Sequence, residues 1–255
     1  MTRVLLTGAT GMLGQELLPR LQDAGNEVRA TSREPPGDAA ADEWAALDLA
    51  SGTGVETAID GVDVVVHAAS DARGDSEDVD VRGTERLLDA AATAGVSNFV
   101  YVSIVGIEDV PYSYYQHKLA AEDRIQRSAV PATIVRATQF HGFVDLLLGL
   151  VARLPLWPLP TDFRIQPVDE GEVADAVVGH ATEEPAGRVS AVGGPAVRSV
   201  RDLATAYREA RGLRRPIVRL PLPGQSAAAA RAGALTCPDR AVGTRTFEDW
   251  LEERY

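Results

Sequence analysis

Three glycines spaced Gly-x-x-Gly-x-x-Gly, within Thr7-Gly8-Ala9-Thr10-Gly11-Met12-Leu13-Gly14, follow directly on the apolar run Val4–Thr7. Between a strand and a helix, such a turn lets backbone N–H groups approach a pyrophosphate, and the helix N-terminus favours its charge. Glycine is needed because a Cβ would block that approach or forbid the turn. The same spacing also describes a plain tight turn. Here it opens a repeated strand–helix pattern, which points to a dinucleotide held by Thr7, Gly8, Thr10, Gly11, Met12, Leu13 and Gly14. The next strand ends in Thr31-Ser32-Arg33. An acidic residue there would bond the ribose hydroxyls of NAD(H) and repel a 2′-phosphate, whereas the Ser32 hydroxyl and the Arg33 fork suit a phosphate dianion. NADP(H) is therefore expected in preference to NAD(H). Further on, Tyr114 and Lys118 are four positions apart and share one face of a helix. A phenol titrates near 10, but a neighbouring ammonium and a cationic nicotinamide stabilise the phenolate and lower that value. In the reductive direction Tyr114 would give its proton to a carbonyl oxygen, with Lys118 tuning it and bonding the nicotinamide ribose.

These side chains need a scaffold. Val4–Thr7, Glu27–Thr31, Asp63–Ala68, Asn98–Ser103 and Thr133–Arg136 read as strands, and Ala45–Leu47 as a weaker one. Val64-Val65-Val66 and Val100-Tyr101-Val102 are apolar at consecutive positions, as in parallel strands covered on both faces. Helical patterns lie between them at Met12–Ala24, Asp80–Ala94 and Tyr114–Ser128, with Gly25 and Gly95 placed as C-terminal caps and Pro19 predicting a kink or a lost bond. The alternation predicts an α/β fold, a doubly wound parallel sheet of the Rossmann type. Leu154 to Pro160 carries three prolines and must be extended or turning; Gly171–Thr182, Val200–Ala210 and Phe247–Glu253 read as helices. A single domain spanning 1–255 is expected, with residues from about 140 onward forming a small C-terminal lobe for substrate.

Composition narrows the function classes. With 25 Lys and Arg against 37 Asp and Glu, the net charge is −12, which repels nucleic-acid backbones and anionic membranes. One cysteine, Cys237, excludes an internal disulfide or a cysteine-rich metal site, and no metal ligand set is expected. The apolar runs at the start and at Phe143–Val151 are too short for a signal peptide or a membrane span, so a cytoplasmic location is expected.

Thr7–Gly14, Asp48-Leu49, His67-Ala68-Ala69, Asp80-Val81-Arg82-Gly83-Thr84, Tyr101-Val102-Ser103 and Tyr114-x-x-x-Lys118 together resemble the short-chain dehydrogenase/reductase superfamily, in particular its atypical, NmrA-like NAD(P)-binding branch. The resemblance covers roughly residues 1–182. It implies that Asp48 and Leu49 flank the adenine, that Ala68, Ala69 and Ser70 lie against adenosine and ribose, and that Val102 also belongs to the cofactor site. Ala137, Thr138, Gln139 and Phe140 would lie near the nicotinamide carboxamide. Ser103 is the serine closest to the family's catalytic position, although the family's hydroxyl falls slightly further on, at Ile104 or Val105 here. His67, His117 and His141 are expected to be structural.

The implied activity is NADP(H)-dependent hydride transfer to a small apolar carbonyl or quinone. Phe140, Phe143, Leu146–Leu148, Leu150, Trp157 and Phe163 would supply either pocket surface or the core of the C-terminal lobe. Two other readings stay open: a non-catalytic NADP(H) sensor, and an epimerase or dehydratase in which the hydride returns to the substrate. The partner expected is a small apolar or aromatic molecule, with no nucleic acid and no membrane; the sequence sets no oligomeric state.

Overall fold

Val4, Leu5 and Leu6 are apolar in succession and all fully buried, so the first strand must be covered on both sides. The computed structural model describes residues 1–36, 40–72 and 74–255. Its main sheet is built from β1 (Arg3–Thr7), β2 (Glu27–Ser32), β3 (Glu43–Ala46), β4 (Val64–His67), β5 (Asn98–Ile104) and β6 (Ala132–Ala137). Two short strands, β7 (Trp157–Leu159) and β8 (Arg164–Ile165), stand apart from it, and β9 (Gly187–Arg188) closes its edge. The order is β3-β2-β1-β4-β5-β6-β9, parallel, as the doubly wound pattern requires.

Strand order reverses between β1 and β4, whose registers pair Leu5 with Val65 and Thr7 with His67. In open α/β sheets the crevice beyond the carboxyl ends at such a reversal is where ligands bind. The helices that feed it are α1 (Met12–Asp23), α2 (Val55–Ile59), α3 (Thr84–Ala94) and α4 (Ser113–Arg127). Leu5, Val65 and Phe99 form one row across β1, β4 and β5, and this row joins Leu87 and Ala91 of α3 and Ile125 of α4 in one buried cluster. The α1 helix runs through Pro19, which forfeits one backbone bond, and Gly95 caps α3 with φ +75° as its position predicts.

The predicted helix Asp80–Ala94 is in fact two pieces. Its start lies inside a π-helical segment, Glu77–Gly83, which leads directly into α3. The wider winding is not visible in a hydrophobic periodicity that continues unbroken through Val81 and Thr84. Chain contacts divide the protein into two compact units. The first comprises Met1–Ser103, Ser113–Val135 and Val173–Val189 and holds the sheet just described.

The second unit comprises Ile104–Tyr112, Arg136–Glu172 and Ser190–Tyr255. The elements not yet given are α5 (His141–Val151), α6 (Glu170–Val178, whose residues from Val173 onward belong to the first unit), β10 (Arg198–Ser199), α7 (Val200–Ala210), β11 (Ile217–Arg219), α8 (Gln225–Ala232) and α9 (Phe247–Arg254). Val144, Leu148, Trp157, Leu203, Tyr207, Phe247 and Leu251 form the unit's own core, so Trp157 and Leu148 are packing residues. The proline-rich stretch is extended, as its composition predicts, with β7 pairing in parallel to β11. The sequence predicts no helix at α5, whose N-cap Phe140 offers no capping side chain, nor at α8, where the alanine run lies. Among the described residues no helix is long and apolar enough to cross a membrane.

Candidate active site

The three loop glycines have different jobs. Gly8 has φ +72°, and a Cβ there would stand 2.7 Å from the Ala69 nitrogen; a Cβ on Gly14 would stand 2.0 Å from the Gly8 carbonyl oxygen. Both are demanded by the chain's own packing. Gly11 has ordinary extended angles (φ −78°, ψ 172°), is exposed, and would bring a Cβ only within 3.2 Å of the Gly8 oxygen. It is the N-cap of α1, where no side chain caps the helix and no acid stands in the first turn. The leading N–H groups of a helix have no partner within the helix. An uncapped, exposed N-terminus approached over bare glycine fits a pyrophosphate.

Thr7 at the end of β1 is joined to the crevice through His67. The Thr84 hydroxyl donates to the Asp80 carbonyl at 2.7 Å, so its oxygen accepts from His67 Nε2–H at 3.0 Å. That leaves Nδ1 as the acceptor of the Thr7 hydroxyl at 2.6 Å, while Thr7 Oγ1 accepts from the Ala69 N–H. His67 is fully buried; loss of solvation, helped by the charge of Lys118, pushes its pKa down to about 3. It is a neutral brace between β1, β4 and α3, structural as the sequence reading expects. His117 bonds Ser76 at 2.8 Å.

The Tyr114–Lys118 pair is brought to one carboxylate. Lys118 is 3% exposed; it donates to the Val102 carbonyl at 2.9 Å, lies 3.7 Å from Asp80 Oδ1 and sits 4.2 Å over the Tyr101 ring. Burial lowers its pKa, opposed by the Asp80 and Glu122 charges. Ser70, at the exposed end of the turn after β4, donates to Asp80 Oδ1 at 2.6 Å and meets the Tyr114 hydroxyl at 2.9 Å. Asp80 is 1% exposed, and its other oxygen accepts from the Asp71 N–H at 3.1 Å. Ser103 is also buried, and its hydroxyl finds no partner among the described residues; neither does that of Tyr101, whose pKa burial pushes well up.

Asp80 is the residue the sequence reading passed over as a site residue. It stands four positions before Thr84 in the π-helical segment and is 1% exposed, and a buried acid requires a partner.

At the end of β2, Arg33 is exposed and its charge reaches the Asp48 carboxyl, which the Ser51 hydroxyl and then the Ala50 N–H hold below the usual carboxylate range. The Ser32 hydroxyl donates locally to the Glu34 carbonyl. The Leu49 carbonyl accepts from Arg86, and Leu49 packs so close to Gly83 that a Cβ there would clash at 2.8 Å.

Ala137 to Phe140 belong to the second unit. There Thr138 N–H bonds the Val192 carbonyl, the Gln139 side chain donates to the Leu235 carbonyl, and Phe140 bridges Val168. His141, buried in the same unit, faces the Arg245 carbonyl with Nε2 at 3.1 Å and is ringed by Phe247 and Trp250. Among the described residues no three His, Cys, Asp or Glu side chains converge as a metal site.

A family model described as NAD(P)H-binding matches residues 8–142. A reductase of (4-alkanoyl-5-oxo-2,5-dihydrofuran-3-yl)methyl phosphate from Streptomyces griseus is 28% identical over 208 residues, 78% of this chain and 70% of that protein. A 3-beta-hydroxysteroid dehydrogenase of Mycolicibacterium neoaurum is 30% identical over 148 residues, 48% of this chain and 40% of that protein. An uncharacterized protein of Mycobacterium bovis, 36% identical over 102 residues, is matched over only 12% of its length, and an NAD-dependent glucose-6-phosphate dehydrogenase of Haloferax volcanii, 36% identical over 111 residues, over 42%. In three dimensions the chain is similar to an Escherichia coli NADPH-dependent quinone oxidoreductase bound to NADPH, with TM-score 0.82, 18% identity and 98% and 99% of the two chains covered. It is also similar to a Staphylococcus aureus nucleoside-diphosphate-sugar epimerase, with TM-score 0.79, 19% identity and 99% and 100% covered. At such identities the likeness concerns the fold, that of NAD(P)-binding oxidoreductases and epimerases. With its glycine loop, reversal point and matched span taken together, the chain belongs to the NAD(P)H-binding family.

Proposed function

We propose that this protein is an NADP(H)-dependent reductase of the NmrA-like branch, acting on a small apolar carbonyl or quinone. The observation that carries the reading is the convergence of the Tyr114 hydroxyl, through Ser70, and the Lys118 ammonium on one oxygen of Asp80. The α1 N-terminus and Gly11 would hold the pyrophosphate, Ser32 and Arg33 the 2′-phosphate, and Lys118 a ribose hydroxyl. When bound, the nicotinamide supplies the hydride. Tyr114 gives its proton to the substrate oxygen, and the buried ammonium offsets the negative charge left on the phenol. The S. griseus reductase and the E. coli quinone oxidoreductase support a C=O or quinone substrate.

The test is NADPH and NADH oxidation against quinones, aromatic ketones and aldehydes, with the parent and Tyr114→Phe. The variant keeps the ring, so cofactor affinity should hold while turnover falls by about 10²–10⁴. Tight NADPH binding without turnover across the panel would leave a sensor as the better reading. Full turnover by Tyr114→Phe would remove the tyrosine from the mechanism.

A further inference from the structure

Ser70 and Asp80 touch neither hydride nor substrate in the chemistry just outlined, yet they hold the tyrosine. A serine hydroxyl has one proton, and here it is committed to the Asp80 carboxylate at 2.6 Å. At the 2.9 Å contact the Tyr114 hydroxyl must therefore be the donor and Ser70 the acceptor. The chain has a direction: from an accessible phenol, through an exposed serine, to a carboxylate buried in the π-helical segment. Asp80 is held from both sides, by the Asp71 N–H and by the ammonium of Lys118 at 3.7 Å. Behind the strand ends, by contrast, the Ser103 hydroxyl is buried without a partner among the described residues.

We propose that Ser70 and Asp80 form a proton relay for Tyr114 that runs inward, away from the substrate. The Tyr114 O–H bond breaks as its proton joins Ser70 Oγ, and the Ser70 proton passes in the same movement to Asp80 Oδ1. Before the shift the negative charge is on Asp80; after it, on the Tyr114 phenolate. No electron moves, no net charge is created, and no co-reactant is consumed. In alcohol oxidation the shift readies the phenolate as base. Carbonyl reduction starts with Asp80 protonated by a proton taken from water: Tyr114 gives its proton to the substrate oxygen, and the reverse shift then moves the Asp80 proton through Ser70 to the phenolate, leaving Asp80 as the carboxylate. Among the described residues, the other titratable groups near the chain include Asp71 of the turn after β4, Lys118, Glu122, His117 and Tyr115 of α4, and Tyr101 of β5. The relay's use rests on the proposed reductase reading, but its existence does not, and the test separates the two.

In the protein without cofactor, the ionisation of Tyr114 is followed by ultraviolet absorbance, subtracting Tyr114→Phe. Asp80→Asn removes the charge and turns an amide donor toward Ser70, so the Tyr114 midpoint should fall by about one pH unit. In a Ser70→Ala background the same substitution should move it by less than half as much, and Ser70→Thr, which keeps the hydroxyl, should restore the coupling. Equal shifts with and without Ser70 would mean that the carboxylate acts only through space, and the relay would be overturned whatever the enzyme reduces. With an active substrate, the rate in H2O/D2O mixtures should bow for the parent, as for more than one proton in flight, and become linear in Ser70→Ala. A linear parent profile would also overturn it. Ser70 is exposed, so both of its variants test the relay even if Asp80→Asn fails to fold.

Discussion

Thr7 and His67 stand opposite one another on neighbouring parallel strands, and the threonine hydroxyl donates to the imidazole Nδ1 at 2.6 Å. Because the opposite nitrogen donates to Thr84, the ring has no room for a second proton without breaking one of the two bonds.

Acid should therefore unfold this protein partly through His67. Its pKa is about 3 when folded and near 6.5 when unfolded, so the unfolded chain binds the extra proton between those values. The contribution is complete above about pH 6.5 and is lost at up to about 1.4 kcal/mol per pH unit as the pH falls toward 3. Urea unfolding of the parent and His67→Gln at pH 7 and pH 5 isolates the term, since all other titrating groups are common to both. The gap between the variants should narrow by about 2 kcal/mol at the lower pH. Parallel profiles would mean that the histidine is not held neutral.

The glycines should separate folding from binding. Gly11→Val occupies the approach to the α1 N-terminus but asks for no forbidden backbone angle, so its melting temperature should stay within a few degrees while affinity for either cofactor falls by more than about tenfold. Gly14→Ala should instead cost about 1–3 kcal/mol of stability or prevent folding, because its methyl meets the Gly8 carbonyl. Cofactor titration alongside thermal melts reads both. Retained affinity in folded Gly11→Val would place the pyrophosphate elsewhere.

Cofactor choice should lie with Arg33. Asp48, the acid it faces, already accepts from Ala50 and Ser51, which leaves the exposed guanidinium available to a 2′-phosphate. A charge-assisted bond of about 1.5–3 kcal/mol corresponds to a preference of roughly tenfold or more for NADPH over NADH. Arg33→Ala should erase most of it in fluorescence titrations. Equal affinities in the parent would refute the assignment.

The sheet and its cradle were legible because their signals are local. Three consecutive valines in β4 announce burial on both faces, and the glycines mark the turn whatever the rest of the chain does. Tyr114 and Lys118 were legible by spacing alone. What their helix spacing could not reveal was that Ser70, 44 positions earlier, would meet the tyrosine. The resemblance assigned Ser70 to adenosine and ribose, whereas the hydroxyl contact depends on where the turn after β4 ends relative to α4. Asp80 was harder still, since a π-helical segment leaves the surrounding apolar stripe intact while altering the winding beneath it. The α5 helix escaped notice because Phe140 stands where a capping side chain would announce a start.

The seven residues Glu77–Gly83 carry one further consequence. A helix wound with bonds five residues apart accommodates an additional residue per turn relative to regular winding, and each residue of an α-helix accounts for about 100° of rotation. Removing one residue from this segment would let α3 continue upstream in ordinary phase, swinging Asp80 by about that angle away from Ser70 and Lys118. The position of the carboxylate is thus written in the length of the chain as well as in its letters. An insertion or a deletion here can switch the site on or off while every side chain named above keeps its identity.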